Sequence, residues 1–231
     1  MSPRPSRSRP SGRSSLPGSS RSARRPSAAL SGVAQTLGTP SYAKLAVACV
    51  ILALADLGNQ LADAVILEGT SDEIAHLATT LIILWALGPT ICRRFLVPAL
   101  IASVAIDVDH VPARLGYHFL THGTPRPYTH SLLTIVVVVL VAAVWRRRRD
   151  VLIGVGLGLA IHFFRDLTEH GSGVALLWPI SDYSCSLPHA VYLAAMALSV
   201  LVVAERLRGA PLGERVIGSK SSQKFRGAHR S

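Results

Sequence analysis

The chain contains little cysteine. Only 3 of its 231 residues are cysteines, at positions 49, 92 and 185. Cys49 falls inside an apolar block, Cys92 at the end of another, and Cys185 in a loop, so no two of them are placed to pair. This shortage excludes a disulfide framework and a cysteine-type metal site.

Acidic residues are absent from the first 40 residues, which are rich in Ser, Arg and Pro. A segment of this composition cannot bury enough apolar surface to offset the entropy lost on ordering. We therefore expect residues 1–40 to form a disordered basic tail. A membrane-embedded domain should follow at 41–205, and a basic cytoplasmic tail at 206–231.

What the chain does contain is long runs of apolar residues. Hydrophobic residues make up 49% of the sequence and charged residues only 16%, and the apolar residues are gathered in blocks. The sequence therefore predicts an all-α polytopic membrane bundle of about six spans. Several blocks are shorter than the roughly 20 residues that cross a bilayer, so these must borrow flanking residues or enter without crossing. The six blocks are Ala43–Leu67, Ile74–Ile91, Phe95–Ile106, Leu132–Trp145, Val151–Leu167 and Ala190–Ala204.

The basic residues predict the orientation of these spans. With the N-terminus inside and six crossings, 21 of the 24 Lys and Arg residues fall on the inner side, among them the run Arg146–Arg149. This bias predicts a plasma or inner membrane protein with both termini in the cytoplasm. It also accounts for the net charge of +11 without a nucleic-acid partner. Membrane lipid is the expected partner, and the sequence leaves the oligomeric state open.

Three short motifs place ionisable side chains at the outer ends of predicted spans. The first contains Asp107, Asp109 and His110 within four residues. Carboxylate oxygens and imidazole nitrogens together suit zinc, manganese or iron. By itself this motif also fits an ordinary polar loop that leaves the membrane.

The second motif places His130 between Thr129 and Ser131, directly before the apolar run that starts at Leu132. Either hydroxyl can cap the helix by accepting a bond from a free backbone N–H group, which would fix the histidine at the rim. A surface histidine at a helix start is the alternative for this segment alone.

In the third motif His162 and Asp166 are four positions apart, which is about one helical turn, so both side chains project from the same face. Ionisable groups at the end of a span are costly unless they face a cavity, a partner or an ion. A simple helix-end ion pair is the alternative. One topology nevertheless places all three motifs on the same membrane face, which favours a single site.

In its order of motifs the chain resembles the YdjM family of inner-membrane-associated, metal-dependent hydrolases. The matching motifs are DxDH at 107–110, Arg-x-x-Thr-His-Ser at 126–131, His-x-x-x-Asp at 162–166 and the Trp-Pro pair at 178–179. The resemblance implies a multi-span hydrolase and covers roughly residues 74 to 180. It adds His76, Arg126 and His122 as further candidate site residues.

We therefore predict a metal-dependent hydrolase with zinc or manganese at the outer interface, acting on a lipid or lipid-linked ester or phosphoester. Asp109 and Asp166 are the candidate catalytic residues. The candidate metal ligands are Asp107, Asp109, His110, His130, His162 and Asp166.

A polar stripe in the first block keeps other classes open. Asp56, Asn59, Gln60 and Asp63 share one helical face, which is typical of an interhelical hydrogen-bond network, a water path or a second shell beneath the site. Asp56 and Asp63 also partly fit a cation-binding transporter. A non-catalytic membrane scaffold is the third alternative.

Overall fold

The computed structural model describes residues 32, 35–61, 65–121, 126–168 and 173–209. These residues form an all-α bundle, with two 3₁₀ turns at Ile106–Asp109 and Arg146–Arg148. The predicted tails lie almost entirely outside the described residues. The seven α-helices of the described part are α1 (Tyr42–Leu61), α2 (Val65–Leu87), α3 (Pro89–Ala105), α4 (His110–Arg114), α5 (Leu132–Val144), α6 (Arg149–Thr168) and α7 (His189–Gly209).

Every predicted apolar block overlaps a helix, but not every helix can cross a membrane by itself. Within the described ranges, three helical segments are long and apolar enough to span: Tyr42–Leu61, Arg146–Thr168 and His189–Gly209. The 13 residues of α5 extend only about 20 Å, against about 30 Å of hydrocarbon. The structure thus supports three candidate spans, while six crossings and cytoplasmic termini stay predictions.

The predicted block Ile74–Ile91 is not one continuous helix. Gly88 has a φ of 112°, a left-handed conformation that favours glycine, and Pro89 occupies the first turn of the next helix. The helix α2 therefore ends at Leu87 and α3 begins at Pro89. The break starts α3 earlier than the predicted block Phe95–Ile106.

Helices α3 and α6 pack at close range through glycine. A Cβ atom at Gly158 would overlap the backbone carbonyl of Ala99, and one at Gly154 would press against Pro98. Small residues spaced four apart let two helix backbones approach in this way. His162 follows Gly158 by one helical turn, and Ser103 follows Ala99 by one turn. His162 Nδ1 lies 2.8 Å from the carbonyl oxygen of Ser103. The glycine contact therefore sets the position of His162.

We predict that Gly158→Val destabilises the protein by about 1–3 kcal/mol, because the added side chain must force α3 and α6 apart. Chemical denaturation in detergent would measure the change in the free energy of unfolding. Gly156→Val is the matched control, since a Cβ at Gly156 meets only ordinary contacts with α5. Equal losses in both variants would contradict the close-packing account.

Candidate metal centre

Five segments bring histidines and carboxylates together at one end of the bundle. The helix α2 contributes His76, the turn after α3 contributes Asp107 and Asp109, and α4 begins with His110. His130 comes from the segment just before α5. The helix α6 contributes His162 and Asp166. The structure thus gathers in one cluster all six ligands that the motifs predict, together with His76.

The centre of the cluster is formed by four side-chain atoms at short range. His130 Nε2 lies 3.2 Å from both His162 Nε2 and Asp107 Oδ1, and 3.7 Å from Asp166 Oδ2. His162 Nε2 lies 3.5 Å from Asp107 Oδ1 and 3.2 Å from Asp166 Oδ2. Nitrogen and oxygen ligands about 2.0–2.1 Å from a tetrahedral zinc ion are roughly 3.3–3.4 Å apart. The observed spacing therefore fits ligands arranged around a small cation.

The two central histidines are held as metal ligands usually are. His162 turns Nε2 to the centre and its Nδ1 to the carbonyl oxygen of Ser103. His130 turns Nε2 to the centre, and its Nδ1 lies 3.3 Å from Asp109 Oδ2. A carbonyl or carboxylate on the far nitrogen fixes the ring orientation and its tautomer. Asp109 is therefore placed to orient His130, beside its predicted roles as a ligand and a catalytic group.

The ligands divide into two groups of three, in each of which the atoms lie within 4.8 Å of one another. In the first, the ring of His76 stacks on His162 at 3.8 Å and its Nε2 lies 3.4 Å from Asp166 Oδ1. In the second, His110 Nε2 lies 3.5 Å from Asp107 Oδ1, and its ring meets His130 edge to face. Either group could hold a metal ion.

These contacts bear on two alternatives from the sequence. The predicted pair of His162 and Asp166 exists, but both side chains are fully buried and Asp166 also contacts His76, His130 and Arg126. The pair is therefore part of a larger buried cluster, and a helix-end ion pair without metal stays the alternative to a metal site. His130 is likewise buried rather than on the surface.

The predicted capping of α5 by a hydroxyl side chain is wrong. Ser131 occupies the N-cap position, yet its side chain makes no capping bond. Thr129 donates its hydroxyl to Asp109 Oδ2 instead. The hydroxyl is drawn to the carboxylate because a charged acceptor binds more strongly than a backbone group.

The structure describes only some of the further candidate residues. Arg126 lies beside the cluster, with one guanidinium nitrogen 3.0 Å from Asp166 Oδ2. His122 lies outside the described residues, as does Asp63 of the polar stripe. The sequence motifs assign no role to Asp72 and Glu73, because both precede the predicted apolar block Ile74–Ile91. Asp72 Oδ1 lies 3.6 Å from His76 Nε2, and Glu73 interacts with Asp107.

A buried arginine connects the cluster to the polar stripe of α1. Arg165 donates hydrogen bonds to Asp56 Oδ1 at 2.8 Å and to the Tyr192 hydroxyl at 2.9 Å. Its guanidinium also lies 3.7 Å from Asp72, which contacts His76. This network joins α1, α2, α6 and α7 beneath the cluster. No motif singled it out, because Arg165 and Asp56 are 109 positions apart in the sequence.

Charge interactions at the rim of the cluster shift its pKa values. Burial lowers the pKa of His130, but hydrogen bonds with Asp107 and Asp109 outweigh that effect and raise it to about 9. Burial and the neighbouring His130 lower the pKa of His110. Burial and the Asp107 carboxylate raise the pKa of Glu73 to about 7. Without a metal the cluster therefore holds a proton on His130 at neutral pH.

The chain matches the sequence model of a known protein family. The family model described as "YdjM inner membrane protein" matches residues 72–225, about two thirds of the chain. This range contains both ligand groups and the helices α3 to α7. No curated protein and no solved structure gave a significant match.

We predict that metal affinity rises with pH between about 6.5 and 9, by up to about tenfold per pH unit, and levels off above that range. A metal ligand must be neutral, so the ion has to displace the proton that the acids keep on His130. Calorimetric titration with zinc across this range would measure the slope. An affinity independent of pH would contradict the assignment of His130 as a ligand.

We predict that Asp56→Asn lowers the free energy of unfolding by about 1–3 kcal/mol, because it weakens a charged hydrogen bond to the buried Arg165. Asp150→Asn is the matched control. It breaks an exposed pair with Arg94, which water and salt screen, so the loss of stability should be smaller. Denaturation in detergent compares the two, and an equal effect would contradict a structural role for Asp56. Reduced zinc affinity in Asp56→Asn would further show that the network supports the metal centre.

Proposed function

We propose that this chain, which belongs to the YdjM inner membrane protein family, is a metal-dependent hydrolase whose centre is the buried histidine and aspartate cluster. The observation that carries the proposal is the spacing of the four central atoms. The Nε2 atoms of His130 and His162 lie 3.2 Å apart and 3.2–3.7 Å from the oxygens of Asp107 and Asp166, which is the spacing of ligands around a small cation.

The charge of the cluster supports a bound cation. Five carboxylates lie in or beside it, and the guanidinium groups of Arg126 and Arg165 offset part of their charge. Excess negative charge in a buried site is costly unless it is paired or coordinates a metal. The five carboxylates belong to Asp72, Glu73, Asp107, Asp109 and Asp166.

Buried polar atoms without a hydrogen bond also support a bound cation. Among the described residues, His76 Nδ1, Asp107 Oδ2, Asp109 Oδ1 and His110 Nε2 are buried and make no hydrogen bond. Buried polar atoms are nearly always satisfied, by protein, by water or by an ion. A mixture of imidazole and carboxylate ligands suits zinc or manganese, and no cysteine takes part.

A catalytic centre is favoured over a purely structural one when the ion is held by one of the two ligand groups. Each group supplies three protein residues, and three protein ligands with one open position is the pattern of catalytic zinc, whereas one ion at all four central atoms would have no open position. A divalent ion bound there would supply Lewis-acid activation of water and of the scissile bond.

In this proposal the acidic side chains of the cluster have different roles. The fully buried Asp166 contacts two ligand histidines and Arg126, so ligation is its primary role. Asp109 orients His130 and is placed near the rim of the site. Glu73, which interacts with Asp107 at the edge of the cluster, is a further candidate to accept and return a proton.

The natural substrate class is a lipid or a lipid-linked ester or phosphoester, at the outer face of the plasma or inner membrane. Support for this comes from the position of the cluster. Asp166 lies two residues before the end of the candidate span Arg146–Thr168, which puts the site near the depth of lipid headgroups.

A cation transporter is the second candidate, and Asp56 is the observation that bears on it. A transport path needs acids that can take up the ion within the membrane. Asp56 accepts a hydrogen bond from the buried Arg165, so its charge is already offset. This pairing favours the hydrolase, and the polar stripe then belongs to the network beneath the site.

We predict that His162→Ala removes most of the bound metal and abolishes hydrolysis, since losing even a supporting group costs about 10- to 100-fold in affinity. Elemental analysis of the purified protein, before and after chelation and reloading, would measure metal per chain. A panel of phospholipid, lipid-linked phosphate and ester substrates would measure turnover.

His118→Ala is the matched control because His118 is exposed on the same side of the bundle. Asp109→Asn should lower metal content less than His162→Ala does, because Asp109 orients His130 and lies outside both three-residue ligand groups, and it should slow turnover. Unchanged metal content in His162→Ala would contradict the metal centre. Full metal occupancy without any turnover, together with Asp56-dependent ion flux in liposomes, would replace the hydrolase with the transporter.

A further inference from the structure

The loops that carry the metal ligands expose large apolar side chains. Val108 lies between two candidate ligands and is 67% exposed, while Asp107 beside it is turned inward. Leu115, Tyr117 and Phe119 follow α4 and are about two thirds exposed. A loop in water would present mostly polar groups here, so four exposed large apolar side chains within twelve residues point to an apolar neighbour.

A second loop adds to the same surface. Tyr128, two residues before His130, stacks on Trp178 with ring centres 4.4 Å apart. Beyond Trp178, Ile180 is 90% exposed and Tyr183 is 74% exposed. The apolar collar is the set Val108, Leu115, Tyr117, Phe119, Ile180 and Tyr183.

The ends of two candidate spans fix the depth of this collar. The span Arg146–Thr168 ends beside the cluster, and the span His189–Gly209 begins on the same side. The backbone N–H of Leu187 donates to the carbonyl of Leu167, which ties the second loop to the end of the first span. The headgroup layer is only several ångströms thick on each side of the hydrocarbon, so loops tied to span ends lie within it.

We propose that the apolar collar is inserted in the headgroup layer of the membrane that the protein spans, so that the metal centre opens to lipid rather than to bulk water. This inference rests on the proposed function for its consequence: the substrate is an amphiphile that enters from the bilayer. Tyr and Phe side chains at the rim fit the chemistry of this layer, where an aromatic ring is buried and a hydroxyl stays wet.

The site chemistry is consistent with that route. Arg126 is partly exposed at the edge of the cluster, where it pairs with the buried Asp166. Its guanidinium is the positive charge that an anionic headgroup would meet. The apolar collar would hold the acyl or isoprenoid part of the same molecule. A phosphoester of a lipid combines both features.

The test measures the depth of the collar and does not need an activity. In a Cys49→Ala, Cys185→Ser background, Phe119→Cys is labelled with a fluorophore and the full chain is reconstituted in phosphatidylcholine–phosphatidylglycerol vesicles. Quenching is compared for headgroup spin-labelled lipid, acyl-chain spin-labelled lipid and aqueous iodide. Val50→Cys, exposed in the middle of the span Tyr42–Leu61, is the matched control for the acyl depth.

We expect the label at position 119 to lose most of its fluorescence to the headgroup quencher and little to iodide, while the label at position 50 responds to the acyl-chain quencher. Ile180→Cys repeats the test if Phe119→Cys fails to fold. Strong iodide quenching without lipid quenching would place the collar in water and overturn the proposal. Protection from all three quenchers, with cross-linking between chains, would assign the collar to a second copy and also overturn it.

Metal analysis of the same samples separates this result from the hydrolase proposal. Lipid quenching with no bound metal would leave the collar in the membrane and reject the metal centre. Bound metal together with iodide quenching would support the metal centre and reject the insertion of the collar in the membrane.

Discussion

The rest of the structure depends on the burial of several carboxylates at one end of a helix bundle. Asp166 is fully buried among imidazoles, and the side chain of Asp107 is 15% exposed. Burying negative charge is unfavourable unless a positive charge offsets it. Protons on histidine and the nearby guanidinium groups supply part of that charge. The raised pKa of His130 is the visible consequence, and a divalent cation is the group that would complete the balance.

The fold is arranged to hold this cluster. The close approach of α3 and α6 at Gly158 brings Ser103 within hydrogen-bond distance of His162. Below the cluster, Arg165 joins Asp56 of the first helix to Tyr192 of the last. The central side chains are thereby fixed from two directions. A centre held in this way needs little rearrangement to bind an ion, which is what preorganised sites require.

Local sequence patterns predicted the helices and the candidate ligands. Apolar runs and the four-residue spacing of His162 and Asp166 can both be read from short segments. They did not predict the contacts between distant segments. The pairing of Arg165 with Asp56 joins two helices far apart in the sequence, and Asp72 lies outside the apolar part of its helix. The predicted cap failed for a similar reason, since Thr129 binds a carboxylate from another segment. The break at Gly88 was not predicted either, because a run of apolar residues does not show where a helix is interrupted.

The central claim is that the cluster binds a metal through histidine and aspartate. X-ray absorption spectroscopy of the zinc-loaded full chain tests it most directly. The account predicts nitrogen and oxygen ligands at about 2.0–2.2 Å, imidazole scattering and no sulfur shell, because all three cysteines are free and outside the cluster. The signal should disappear in His130→Ala. A sulfur shell, or an unchanged spectrum in that variant, would contradict the account.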